Sequence, residues 1–152
     1  MLKMLNKKNI ILVVFAVALA VVLLWMAMPL RILSVRSKLL LVEIAKTQEQ
    51  RQQGLQNRTL LKKNRGMLFV FKEEAFHSFW MKDTYLPLDI AFIDSNHRIV
   101  DIQQMIPLDT RLRYKPVKAA KYALEVNAGW MEGNNIQVNE KVFFWSGPLP
   151  AK

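Results

Sequence analysis

The densest run of chemically capable side chains is FWMKDT at residues 79–84, followed at once by PLD at 87–89. Phe79, Trp80 and Met81 can build an apolar wall. Lys82, Asp83, Thr84 and Asp89 can set polar contacts against it. Ligand pockets combine those two ingredients, an apolar lining with a few converging polar groups. Trp80, Lys82, Asp83, Thr84 and Asp89 are therefore the candidate ligand-binding residues. A simpler reading stands beside this one. Alternate residues of a strand face opposite sides, so part of the stretch could be core. Asp83 and Thr84 could cap a turn, since short oxygen-bearing side chains bond nearby backbone N–H groups.

Carboxylates embedded in apolar sequence form a second set. Asp89 opens the run LDIAFI, and Glu125 sits between Leu124 and Val126. A buried carboxyl must pair, hydrogen-bond or stay neutral. Asp89, Glu125 and Asp83 are thus the candidates for general acid and base work, and Glu43 in LLLVEIA raises the same question. Glycoside hydrolysis needs two carboxyl groups about 5–10 Å apart across a cleft. The plainer alternatives are that the acids point outward, or that a cation such as Arg51 or Lys82 pairs with them. Other chemistries have no signal. The chain has no cysteine, and its histidines, His77 and His97, lack a ligand partner at helical or strand spacing. Ser78, Ser95 and Ser146 have no nucleophile-elbow setting, and five scattered glycines make no phosphate loop. Neither a metal nor a cofactor is expected.

The elements that must position these residues are mostly short strands. Residues 39–45 (LLLVEIA), 66–71 (GMLFVF), 76–81 (FHSFWM), 88–93, 98–105, 121–126 (KYALEV) and 140–145 (EKVFFW) are apolar, β-branched or aromatic. Thr47 and Gln50 form a capping-box pattern that opens a two-turn helix, with Gly54 placed to end it. Residues 57–65 read as a polar loop, 72–75 as a turn, 94–97 as a hairpin turn and 107–116 as a basic loop. Residues 128–133 read as a helical turn around Trp130. The pattern argues for a mainly β fold, a compact sandwich or barrel with one or two short helices.

Ahead of this domain lies an unbroken apolar run at residues 10–28, IILVVFAVALAVVLLWMAM. Nineteen residues at about 1.5 Å each reach across the hydrocarbon core, roughly 30 Å thick. The run is too long for the apolar region of a cleaved signal, so a retained anchor is favoured. Residues 1–9 then form a cytoplasmic tail, 10–30 the transmembrane anchor, 31–38 a linker, 39–147 the β-rich domain and 148–152 a tail. A short tail is easily left inside while a long domain translocates, so the domain is expected on the extracytoplasmic side of the cell membrane. The formal charge of +10 divides evenly, because Lys3, Lys7, Lys8, Arg31 and Arg36 flank the apolar run and no acid precedes Glu43. Half the excess therefore belongs to membrane flanks, and nucleic acid is not the expected partner. Membrane lipid is expected to hold the N-terminal helix.

Several motifs together resemble the bacterial and archaeal domain-of-unknown-function 192 family. They are VEIA at 42–45, GL at 54–55, GMLF at 66–69, FWMKDT at 79–84, PLDIAFID at 87–94 and ALEVNAG at 123–129, in this order and spacing. The resemblance covers nearly the whole domain. It implies a compact β-sandwich or barrel of jelly-roll-like type, often behind a signal or anchor, and it carries no activity. The sequence departs from the family pattern at Gln56, where methionine is usual, at Asp83, where asparagine is common, and at Asn139-Glu140, where glycine-aspartate is usual. The favoured function is a ligand- or partner-binding accessory domain of the cell envelope, binding rather than catalysing. Its partner would be a polysaccharide, a peptide or a membrane protein. The alternatives are a carboxylate-based hydrolase of envelope glycans and a structural scaffold in a membrane complex.

Overall fold

A computed structural model describes residues 9–17, 19 and 30–145. Seven strands form one sheet: β1 Leu30–Val35, β2 Lys38–Ala45, β3 Arg65–Ala75, β4 Leu88–Ile93, β5 Ile99–Met105, β6 Ala120–Asn127 and β7 Val142–Phe144. The spatial order is β5-β4-β6-β3-β2-β1-β7. Only β2 and β3 pair in parallel, and they are joined through helix α1, Gln48–Gln53. A second helix, α2 Trp130–Gly133, precedes β7. The sheet curls into a half-barrel whose two edge strands approach each other at one bridge, Arg98 with Lys141. Ile99 N donates to Glu140 O at 3.0 Å and Val142 N to His97 O at 2.8 Å beside that bridge. The fold is mainly β, as expected, but it is one curled sheet rather than the two stacked sheets of a sandwich or jelly roll.

Both faces of the central strands are buried, and each face has its own core. The inner face gathers Leu33, Val42, Leu68, Ile93, Leu124 and Val142, closed by Trp130 and Met131 of α2. The outer face gathers Met67, Phe69, Ile90, Phe92 and Ala123, covered by Leu55, Phe79, Met81 and Tyr114 from the connecting loops. β4 is therefore buried at every position. β3 and β6 pass so close at Gly66 that a Cβ atom there would stand 2.4 Å from the Glu125 carbonyl oxygen.

Three expectations and one boundary need correction. Residues 31–38 are not a linker, because residues 30–35 form β1, paired with β2 and β7, and Arg36-Ser37 is a tight turn with left-handed backbone. Residues 72–75 are not a turn but the end of β3, which resumes pairing after a bulge with Ala75 opposite Ala120. Residues 76–81 are not a strand. They are an irregular segment tied down by one bridge, Phe79 with Tyr114, and their aromatic side chains plug the outer core instead of pairing in a ladder. The outer bound expected for the anchor, residue 30, is the first residue of β1. Residues 9–17 and 19 are helical. Among the described residues no helix is long and apolar enough to cross a membrane, and positions 18 and 20–29 of the expected span lie outside the described residues.

Candidate functional site

The site is built on the outer face of the sheet, where α1 overhangs β3 and β6. α1 starts where the sequence says it should. Thr47 Oγ1 accepts from Gln50 N at 3.2 Å, and Gln50 Oε1 accepts from Thr47 N at 3.0 Å. It stops at Gly54, whose φ of 48° suits a residue without Cβ, and a Cβ there would already touch the Phe69 ring at 3.4 Å. The helix end thus rests close on β3. Between it and the segment 78–84 lies a cavity of about 220 Å³. Gln48, Arg51, Gln52, Gln53 and Gln56 line one side. Phe69, Phe71, Phe79 and Trp80 line another, with Ser78, Thr84 and Glu125 completing the wall.

Glu125 is the unusual member. It lies in the middle of β6, flanked in register by Met67 of β3 and Ile90 of β4, and is only 5% exposed. No hydrogen bond or ion pair to its carboxyl is found among the described residues. Burial alone pushes its pKa up from 4.5 to about 8. The group is therefore largely uncharged at neutral pH, with a proton to donate and oxygens to accept with. Arg51, the cation that could have paired with it, is turned elsewhere. Its Nη1 donates to Lys46 O at 2.5 Å and to Val70 O at 3.1 Å. Its guanidinium lies 5.2 Å from the centre of the Phe71 ring, on which His77 also stacks.

The other candidates divide. Trp80, 43% exposed, stands at the cavity wall with Lys82 Nζ 5.6 Å and Arg113 Cζ 5.0 Å from its ring centre. Thr84 is buried and lines the cavity, but its hydroxyl donates to Lys82 O at 3.1 Å and its carbonyl accepts from Leu108 N at 3.0 Å. Asp83 is exposed, outside the cavity lining, in left-handed backbone that Asp tolerates better than most residues. Its carbonyl oxygen accepts from Asn57 N at 2.8 Å, which makes it a turn residue. Asp89 is on the wrong face. Paired with Val126, it shares the parity of Ala91 and Ile93, whereas Glu125 pairs with Ile90. Its Oδ2 accepts from Met131 N at 3.1 Å and so satisfies the start of α2. Glu43 holds a two-pronged ion pair with Arg58, at 2.5 and 2.8 Å, which keeps its carboxyl below the usual range.

The structure thus brings Trp80, Thr84 and Glu125 together, reaches Lys82 through the Trp80 ring, and separates Asp83 and Asp89 from them. The acid pair Asp89 and Glu125 cannot flank one substrate, because the sheet lies between them. Of the glutamine side of the cavity, the sequence points to Gln56 through its departure from the family methionine, and it misses Gln48, Gln52 and Gln53; Gln48 and Gln52 stand four residues apart, the spacing of one helix face, and that was the available signal.

Comparison with known proteins shows what the fold belongs to. Residues 31–144 match the domain-of-unknown-function 192 family, described as "Uncharacterized ACR". The chain belongs to that family. No curated protein of similar sequence was found. Two solved structures share the family fold. One, a candidate transcription regulator from Sinorhizobium meliloti 1021, is 31% identical with a TM-score of 0.73, over 76% of this chain and 93% of its own. The other, a protein of unknown function from Novosphingobium aromaticivorans DSM 12444, is 28% identical with a TM-score of 0.69, over 74% of this chain and 84% of its own. Four of the motif stretches that carry the family resemblance meet at the cavity. GL supplies Gly54 and Leu55, GMLF supplies Phe69, FWMKDT supplies Phe79, Trp80 and Thr84, and ALEVNAG supplies Glu125.

Proposed function

We propose that this member of the domain-of-unknown-function 192 family is a ligand-binding accessory domain of the cell envelope. Its apolar run at residues 10–28 holds it to the membrane, with the domain on the extracytoplasmic side. The cavity beneath α1 is its binding site. The observation that carries this reading is Glu125: a buried carboxyl with no protein partner, set in the wall of an open cavity. Its oxygens keep access to that cavity, where water or the polar group of a ligand can bond them. Aromatic walls with free polar groups opposite them are what a small organic ligand needs.

The hydrolase reading loses support from the same geometry. Glu125 is the one carboxyl lining this cavity among the described residues. A second acid on the far face of the sheet cannot act as its partner. The scaffold reading keeps one observation. Tyr85, Ile106, Leu108 and Leu112 are exposed on the neighbouring loops, a surface suited to a protein partner.

The test is ligand-observed NMR of the full-length chain against a library of small polar compounds, with Glu125→Leu as control. Binding that the substitution removes is expected. Equal binding by both proteins, or none by either, contradicts the site. Membrane attachment is tested by fractionation: the chain should stay with membranes through a high-salt wash, and release by salt contradicts an apolar anchor.

A further inference from the structure

We infer that the cavity beneath α1 holds one sugar ring without positive charge, a single unit or the end of a glycan, with Glu125 and the α1 glutamines bonding its hydroxyls. This rests on the cavity being the binding site proposed above and names what it takes. The argument starts from unused polar groups. Gln48, Gln52, Gln53 and Ser78 line the cavity as exposed residues, and their side chains make no hydrogen bond among the described residues, so water holds them until a ligand displaces it. Each amide offers both donor and acceptor atoms, as a protonated carboxyl does. A sugar hydroxyl also donates and accepts, so groups of this kind match a polyol better than they match an ion. Opposite them, Phe69, Phe79 and above all the partly exposed Trp80 put aromatic carbon in the wall, which suits the C–H side of a pyranose ring.

Charge argues the same way. A cationic ligand would approach past Arg51 in the lining and past Lys82 and Arg113, which sit over Trp80. From β3 and β4 the neighbours of Glu125 are Met67 and Ile90, so Arg51 of α1 is the charged group on the elements around it. With its proton held at neutral pH, Glu125 puts no negative charge in the wall, so neutral and acidic rings both enter without opposition. Size sets the last limit. About 220 Å³ is below the roughly 300–1,000 Å³ of drug-sized sites, which leaves room for one ring rather than an oligosaccharide.

The experiment uses the full-length chain in a detergent without a sugar headgroup. Saturation-transfer NMR and calorimetry at pH 6.5 compare D-glucosamine, N-acetyl-D-glucosamine and D-glucuronate, one ring carried as cation, neutral and anion, together with D-galactose and D-mannose. At least one of the neutral or acidic rings should bind about tenfold more tightly than D-glucosamine. Glu125→Gln, which keeps a donor and an acceptor, should retain binding within about threefold, while Glu125→Leu should lose about tenfold. At pH 9 the wild-type protein should bind more weakly and Glu125→Gln should not change. Tightest binding of glucosamine overturns the inference, and so does silence from every neutral and acidic ring. If other small compounds still bind in a Glu125-dependent way, only the ligand class falls. If none does, the proposed site falls with it.

Discussion

Replacing Glu125 by glutamine should stabilise the folded chain, and increasingly so as the pH rises. In the unfolded chain the carboxyl loses its proton near 4.5, whereas in the folded sheet burial holds it until about 8. Between those values the folded state binds the extra proton, so its stability falls as the pH rises. The contribution is fully present below pH 4.5 and is gone above about 8. At about 1.4 kcal/mol per pH unit, the interval amounts to about 5 kcal/mol, a large part of the 5–15 kcal/mol typical of a domain. Glutamine has no proton to lose and lacks this slope. The assay is urea unfolding of the full-length wild-type and Glu125→Gln chains from pH 4.5 to 9. Using their difference cancels the titration of every other group, including Glu43, His77 and His97. The variant should gain about 5 kcal/mol relative to wild type across the range. A difference constant to within about 1 kcal/mol would show that the carboxyl is solvated or paired, and the reasoning about its burial would fail.

Further outcomes follow from neighbouring contacts. Gly66→Ala should destabilise by about 1–3 kcal/mol or more, because the new methyl meets the Glu125 carbonyl at 2.4 Å; an unchanged unfolding midpoint contradicts the close approach of β3 and β6. Thr47→Ala should cost about 1 kcal/mol through loss of the helix cap and raise hydrogen exchange in α1 selectively. Asp89→Ala should cost about 1–3 kcal/mol by stranding the Met131 N–H, with ligand binding unaffected because the residue lies on the other face. The Glu43–Arg58 pair should act opposite to Glu125. The lowered pKa of Glu43 adds stability above 4.5 that is lost as the pH falls through its folded value, and Glu43→Gln should flatten that acid limb in the same urea series.

Most of the sheet could be read from the chain because runs such as GMLFVF and LDIAFI combine apolar character with β-branched and aromatic side chains. The misread pieces have physical causes. β1, with the sequence LRILSV, follows directly on the apolar run, so no change of composition marks its start. FHSFWM has the composition of a strand, but its aromatic residues are plugs inserted singly into the outer core. KEEA at the end of β3 is polar because the strand runs beyond the core before pairing again at Ala75. The site was half legible. Trp80, Thr84 and Glu125 were named from their types, but which face each acid takes depends on register. In β4 both faces are buried, so the alternation that normally reveals facing is missing. The glutamines of α1 gained a role only once the helix was seen beside Phe69 and Glu125 at the cavity.

The most direct test of the central claim is a crystal structure of the protein soaked with a mixture of small polar fragments. The expected result is a fragment in the cavity beneath α1, with a polar atom within hydrogen-bonding distance of the Glu125 carboxyl. Fragments bound only elsewhere, with Glu125 turned onto a protein partner of its own, would contradict it.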